Sequence, residues 1–434
     1  MRHKIYLKSP GEKPPVRPDP GWVVHLDEAG PQPGLPLHHN LASLPRDPSP
    51  QAQAFLMLAL GVWAADKLLP RAAAPDAWTR EIALHYPAPP TWGGLASEVA
   101  GLLRFLTGDD WQLKPRSGPV KLTGGAPWPH SWQPDAVALF SGGLDSLVGA
   151  IDHLEAGKRL LLVSHYDFGQ LASLQQGLAA RLKSHYGPDR LAHLALRVQF
   201  PQSPELTLRS RSLLYLALGL AGAAAFDPEM PLLVPENGWI SLNPPLTLNR
   251  LGPYSTRTTH PYFLHRLTDI LRRAGLKHPL INPYQNLTKG EMLAGCKNVP
   301  LLQELYPLTV SCARPVASRW RGAGPGPCGY CYPCLVRRAA LHRLGWDRGE
   351  DYFLDVLAGP ETLRHRVRGA DLRAVLLGLK TWETAPQEVW GRLWLGEPST
   401  ENHALAHKLL TQGFLEMARF FRDKGPEWIN AYLC

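Results

Sequence analysis

Cysteine is scarce in this chain, six residues in 434, too few for a disulfide framework. Long apolar runs are also lacking. Phe55 to Trp63 and Leu213 to Phe226 are strongly apolar, but Asp66 and Lys67 follow the first and Asp227 closes the second. Both fall short of the roughly 20 apolar residues of a bilayer span and read as buried helices. No secretion segment follows Met1-Arg2-His3-Lys4, so a cytoplasmic protein with reduced thiols and no membrane partner is expected. Charged residues make up 19% of the chain and the formal net charge is +9, but no stretch is a basic run. That balance permits a nucleotide ligand and gives nucleic acid little footprint. A hydrophobic fraction of 44% excludes global disorder.

Proline is plentiful but uneven. Residues 1–134 hold 21 of the 43 prolines and 7 of the 14 tryptophans. Such spacing blocks long helices and suits turns or short edge strands. Helical patterns follow near 51–69 and 94–107. The glycines and prolines of 113–134 mark a boundary, so residues 1–134 are expected to form an accessory domain. From Asp135 strand-length apolar runs alternate with helical patterns. The strands are expected at 136–140, 160–164, 194–199 and 232–234, the helices at 146–156, 171–184 and 211–225. This alternation predicts βαβ units and a mostly parallel sheet over 135–355. Residues 356–434 read as helical, with patterns at 370–380, 401–412 and 413–423.

Two motifs carry chemistry. Ser141-Gly142-Gly143-Leu144-Asp145-Ser146 lies between a predicted strand and helix. Paired glycines and a helix N-terminus make an anion cradle. The Walker lysine is missing, and so is the dinucleotide G-x-G-x-x-G. Ser141 and Ser146 can donate to phosphate oxygens, and Asp145 is placed either to help bind Mg²⁺ or to order the loop. The second motif is Cys312, Cys328, Cys331 and Cys334, whose spacing suits a closed tetrahedral Zn²⁺ site, with an iron–sulfur cluster as the alternative. Cys296 and Cys434 read as bystanders.

The loop resembles the pyrophosphate loop of the N-type ATP pyrophosphatases. The cysteine segment, Ser311-Cys312 and then Cys328-Gly329-Tyr330-Cys331-Tyr332-Pro333-Cys334, resembles the zinc segment of the 7-cyano-7-deazaguanine synthases. Phe168-Gly169-Gln170, Arg209-Ser210-Arg211-Ser212 and Thr288-Lys289-Gly290-Glu291 resemble further stretches of that family over roughly 135–350. The resemblance implies an α/β fold, a Rossmann-like parallel sheet of the adenine nucleotide alpha hydrolase type. It implies that Ser141, Gly142, Gly143, Leu144, Asp145, Ser146, Gly169, Gln170 and Arg209 bind ATP. It implies catalytic roles for Asp145, Lys289 and Arg211, with ATP, Mg²⁺ and Zn²⁺ as cofactors. Where the family builds its base pocket, Glu236, Asn237, Arg257 and Thr258 are the substrate-binding candidates; Glu236 and Asn237 equally suit a turn with a helix cap.

The implied activity is that of a C–N bond-forming ligase. A 7-deazaguanine carboxylate would attack the α-phosphorus of ATP, pyrophosphate would leave, and an amine would displace AMP. The family's Asp-Cys-Arg stretch is not recognisable here, which leaves the final product open. The Cys312–Cys328 spacer is longer than usual, with Arg319 to Pro327 reading as an inserted loop, and the N-terminal domain is an addition. Both departures resemble the large synthase-like components of bacterial anti-phage defence operons. There the implied acceptor is the N-terminal amine of a partner protein from the same operon. Nitrile synthesis from ammonia, tRNA modification and a non-catalytic nucleotide-binding subunit are the alternatives, and a homodimer is left open.

Overall fold

The computed structural model describes residues 2–9, 12, 21–26, 35–36, 38–39, 43–44, 47–118, 132–200, 203–205, 209–248, 257, 259–315, 317, 326–395 and 403–433. Among these residues the chain forms two sheets. The first combines β1 (His3–Lys8), β2 (Gly21–His25), β3 (Leu35–Pro36), β5 (Glu81–Pro87) and β6 (Asp110–Arg116) in the order β3-β2-β1-β5-β6. Every pairing in it is parallel. A short strand β4 (His38–His39) leaves this half and pairs antiparallel with β9 (Leu191–Gln199) of the second sheet. The proline count suggested turns and edge strands here. The sheet forms because its central strands, His3–Lys8 and Glu81–Pro87, carry no proline before their last residue, and β1 buries Ile5 and Leu7.

Two helices complete this half, α1 (Pro50–Leu68) and α2 (Thr91–Thr107), close to the predicted 51–69 and 94–107. The Ser49 hydroxyl caps α1 by accepting from the Ala52 N–H at 3.3 Å, and Pro50 occupies the first helical position. Every residue from Ala52 to Leu68 is buried. A helix apolar all round must be covered all round, and α1 packs on β1 and β5 and on α5 (Arg211–Ala224). One continuous apolar core therefore runs from Ile5 through Trp63 and Leu84 to Leu161, Leu218 and Phe263.

The second sheet has the order β11-β10-β7-β8-β9-β4. Its parallel strands are β7 (Ala136–Leu139), β8 (Leu160–Tyr166), β9, β10 (Leu232–Leu233) and β11 (Leu280–Ile281). The connecting helices include α3 (Leu144–Glu155), α4 (Gly169–Tyr186) and α5, followed by α6 (Gly238–Leu242), α7 (Pro261–Arg273), α8 (Lys289–Ala294) and α9 (Val299–Leu305). This is the Rossmann-like α/β layer that the alternating pattern predicts. Beyond it lie α10 (Tyr332–Arg343), α11 (Glu361–Arg364), α12 (Ala370–Thr384), α13 (Pro386–Leu395), α14 (His403–Lys424) and α15 (Glu427–Leu433). The patterns at 401–412 and 413–423 merge into the single helix α14. Gly413 does not break it: a Cβ there would lie 1.9 Å from the Trp239 ring, so the glycine permits close packing. None of the described helices is long and apolar enough to cross a membrane.

A buried ionic network ties the first half together. Arg80 Nε and Nη2 donate to Asp109 at 3.0 and 2.6 Å, and Nη2 also donates to Asp66 at 3.0 Å. Arg71 binds both oxygens of Asp109 at 2.9 Å. All four residues are buried. Arg80→Met would leave two buried carboxylates short of a cation, and should lower unfolding stability by about 3–5 kcal/mol. Urea denaturation checks this; an unchanged midpoint would refute it.

Candidate functional site

The site begins where β7 ends. Gly142 has φ +80°, and a Cβ there would lie 2.5 Å from Leu174 Cδ2, so only glycine fits the turn. Gly143 precedes the first residue of α3. The turn is tightened by its own hydroxyls. Gly143 N donates to Ser141 Oγ at 3.2 Å, and Ser146 Oγ donates to the Gly143 carbonyl at 2.9 Å. Ser311 closes it from outside, accepting from Leu144 N at 2.9 Å, while Val310 N donates to the Gly142 carbonyl at 3.0 Å. Here the positive dipole end of α3 meets the glycine turn, with the Gly143 and Leu144 N–H groups engaged by the Ser141 and Ser311 hydroxyls.

Asp145 is buried at this helix start. Its Oδ1 accepts from the Lys289 ammonium, the first residue of α8. Its Oδ2 accepts from the Asn237 backbone N–H at 2.9 Å and from Asn237 Nδ2 at 2.7 Å. Asn237 also caps α6, its Oδ1 accepting from Ile240 N at 3.0 Å. The Asn237 amide is thus spent on Asp145 and the helix cap, and reading a base would require those bonds to break. Glu236 lies alongside, 3.3 Å from Asn237 Nδ2. Burial pushes its carboxyl up from 4.5 to about 8.

The start of α8, which carries Lys289, is held in two ways. Thr288 and Glu291 form a capping box around the start of α8. The Glu416 carboxylate of α14 accepts from Thr288 Oγ1 at 2.8 Å and from Gly290 N at 3.1 Å. Burial and the Arg337 guanidinium push the Lys289 ammonium down, and Glu416 opposes them.

The other predicted residues spread along the rim. Arg211 opens α5, with Nη2 4.0 Å from Asp167 Oδ1. A polar chain links it to the loop: its guanidinium lies 5.8 Å from the Tyr215 ring, the Tyr215 hydroxyl accepts from Gln175 Nε2 at 3.2 Å, and Gln175 Nε2 donates to the Ser141 carbonyl at 3.2 Å. Gly169 and Gln170 are exposed at the start of α4. Arg209 turns toward the first half of the chain, its guanidinium 4.0 Å from the Trp78 ring. Arg257 is buried with its guanidinium 4.6 Å from the Phe105 ring. Thr258 lies outside the described residues, as does most of the expected insert at 319–327.

The four predicted cysteines converge. All their sulfurs lie within 4.8 Å of one another, Cys312 to Cys331 at 3.8 Å and Cys328 to Cys334 at 3.9 Å. Tetrahedral zinc with Zn–S bonds of about 2.3 Å requires sulfur separations of about 3.8 Å, so the set fits the ion. Backbone N–H groups already point at the sulfurs: Arg314 and Cys328 donate to Cys312 at 3.2 and 3.3 Å, and Cys331 donates to Cys328 at 3.3 Å. Gly329, at φ +85°, makes the knuckle, since a Cβ there would lie 2.0 Å from the Leu354 carbonyl oxygen. Mg²⁺ fits less well. Both Asp145 oxygens are engaged by donors, which favours its ordering of the loop over metal binding.

Sequence reasoning did not name Ser311, Gln175, Arg337 or Glu416 as site residues. Ser311 adjoins a ligand cysteine, which was a usable signal; Glu416 lies far along the chain with none.

The chain is 26% identical over 235 residues to the 7-cyano-7-deazaguanine synthase of Parasynechococcus marenigrum (strain WH8102), covering 49% of this chain and 95% of that one. It is 27% identical over 231 residues to the 7-cyano-7-deazaguanine synthase of Synechococcus sp. (strain RCC307), covering 48% and 95%. This chain is a relative of the 7-cyano-7-deazaguanine synthases. Its fold is accordingly the Rossmann-like α/β type of the nucleotide alpha hydrolases. No protein-family profile and no solved structure matches. About half of the chain lies outside the match with these relatives.

Two predictions follow from the site. Replacing Cys331 with Ser should lower bound zinc and the melting temperature together; metal analysis alongside thermal melts checks this, and unchanged values of both would contradict it. The Glu236 prediction concerns pH. The folded chain keeps the Glu236 proton up to about pH 8, whereas the unfolded chain loses it near 4.5. Between those values the folded state binds more protons, so this group's contribution is full below pH 4.5 and is lost as pH rises toward 8. Glu236→Gln should therefore gain stability relative to the parent from pH 5 to 8, and a constant difference in melting temperature across that range would refute the assignment.

Proposed function

We propose that this chain is an ATP-dependent ligase that adenylates a 7-deazaguanine carboxylate and transfers the acyl group to an amine. The observation that carries the reading is the convergence of Asp145 and Lys289 on the glycine turn at the end of β7. The carboxylate oxygen attacks the α-phosphorus, and the bond to pyrophosphate breaks. The amine then attacks the acyl carbon, loses a proton, and AMP departs. The turn and the α3 N-terminus receive the pyrophosphate. Lys289 supplies positive charge beside it, and Asp145 holds that ammonium in place. Positioning of the reactants supplies much of the effect. A zinc ion on the four thiolates would be structural, keeping Ser311 against the turn.

The acceptor in this reading is the N-terminal amine of a partner protein, in the anti-phage setting that the operon resemblance implies. A cleft of about 770 Å³, lined by Gly238, next in sequence to Asn237, and by Tyr262, His265, Asn282, Gln285 and Leu409, offers room for the end of such an acceptor. One of its walls is α14, part of the helical tail.

Asp145→Asn keeps the shape of the side chain and removes the charge that anchors Lys289. It should reduce pyrophosphate release from ATP and the carboxylate by at least about 100-fold, with an unchanged circular dichroism spectrum. Retained turnover would overturn the assigned role. Mass spectrometry of candidate partner proteins should show the acyl mass added at the N-terminus. Nitrile formation from ammonia with no mass added to any partner would sink the protein acceptor while leaving ATP use intact.

A further inference from the structure

The segment that carries Arg211 is held by the first half of the chain, outside the predicted nucleotide domain. We infer that Asp66, at the end of α1, is a positioning residue for the nucleotide site, acting through Ser210 on Arg211; this rests on the ATP-dependent reading above. Asp66 divides its two oxygens. Oδ1 accepts from Arg80 Nη2 at 3.0 Å and lies 3.5 Å from Arg71 Nη2. Oδ2 faces the other way and accepts from both Ser210 N, at 3.1 Å, and Ser210 Oγ, at 2.9 Å. Ser210 is fully buried and directly precedes Arg211, the first residue of α5.

Neighbouring contacts pin the same connection. The Lys67 carbonyl accepts from Ser203 Oγ at 3.1 Å and Glu205 N at 3.3 Å. Glu205 Oε2 accepts from Arg71 N at 3.0 Å. Arg209 lies over Trp78. Each of these partners comes from the stretch between the end of α1 and Trp78. A buried ionic network is costly to desolvate and is weak evidence of stabilisation; its best-attested use is to fix geometry. Asp109 and four backbone carbonyls meet most of the hydrogen-bonding needs of the two arginines, Asp109 taking Nε and Nη2 of Arg80 and both terminal nitrogens of Arg71. The second carboxylate is therefore free to spend one oxygen on the start of α5. That fixes the first turn of α5, and with it the root of Arg211 on the rim it shares with Tyr215, Gln175 and Ser141.

Asp66→Asn is the direct variant, but it also strips charge from the network. Ser210→Ala removes one hydrogen bond and leaves the network whole, so it carries the test in the full-length protein. Pyrophosphate release at varied ATP should show KM raised about three- to tenfold with kcat nearly unchanged, because Arg211 then binds bound nucleotide and transition state less well by the same amount. Ser210→Thr, which keeps the hydroxyl, should restore KM. In an Arg211→Met background Ser210→Ala should add nothing, since both act through one group. An unchanged KM in Ser210→Ala, a lower melting temperature with KM unchanged, or effects that multiply in the double variant would each overturn the role of Asp66. Absence of pyrophosphate release by the unmodified protein would instead overturn the ATP-dependent reading, and this inference with it.

Discussion

A buried carboxylate must be matched or it will not stay charged. Asp145 sets that demand, and much of the site answers it. Its partners come from far along the chain, Asn237 by 92 residues and Lys289 by 144. Meeting the demand places the ends of β7 and β10 and the start of α8 around one point. It also brings a second buried charge, Lys289, that needs its own support. The capping box at Thr288 and the Glu416 carboxylate provide it. The glycine turn then lies beside a cation whose position is over-determined, the preorganisation that phosphate chemistry rewards.

The cysteine cluster belongs to the same scheme. Cys312 is one of the four converging cysteines, and its neighbour Ser311 accepts from the N–H of Leu144, the first residue of α3. The Cys334 thiol lies 3.8 Å from the Ser311 carbonyl oxygen. A metal closed in by these four thiolates would have no position for water or substrate, so its contribution would be mechanical, fixing Ser311 against the turn.

Much of this was legible in the residues. The alternating strand and helix patterns reproduce the parallel sheet, and the two motifs locate the turn and the four sulfurs. Motifs are legible because their chemistry is local: the glycines, Asp145 and the cysteines act through spacing the sequence displays. Contacts that depend on tertiary packing were not. Nothing near Arg209 shows that it lies on Trp78, and nothing in the tail marks Glu416. The first half misled for a similar reason. Its prolines dominate the composition, but the central strands His3–Lys8 and Glu81–Pro87 carry none before their last residue and so are free to pair in parallel. Gly413 misled in the other direction, since a glycine within a helical pattern can end a helix or let a Trp239 ring approach it.

The regions on either side of the predicted nucleotide domain act on it in the same physical way. From one side Asp66 reaches Ser210 at the start of α5; from the other Glu416 reaches Thr288 and Gly290 at the start of α8. Each is a carboxylate accepting from donors at a helix start, where unsatisfied N–H groups and the positive dipole end favour negative charge. Each helix start carries a cation assigned to the nucleotide, Arg211 or Lys289. Each cation already faces one carboxylate, Lys289 that of Asp145 and Arg211 that of Asp167 at 4.0 Å. Asp66 and Glu416 instead bind the adjacent backbone or hydroxyl, which fixes the root of the side chain without a further direct ion pair. The flanking regions thus set the geometry of both helix starts from outside the glycine turn.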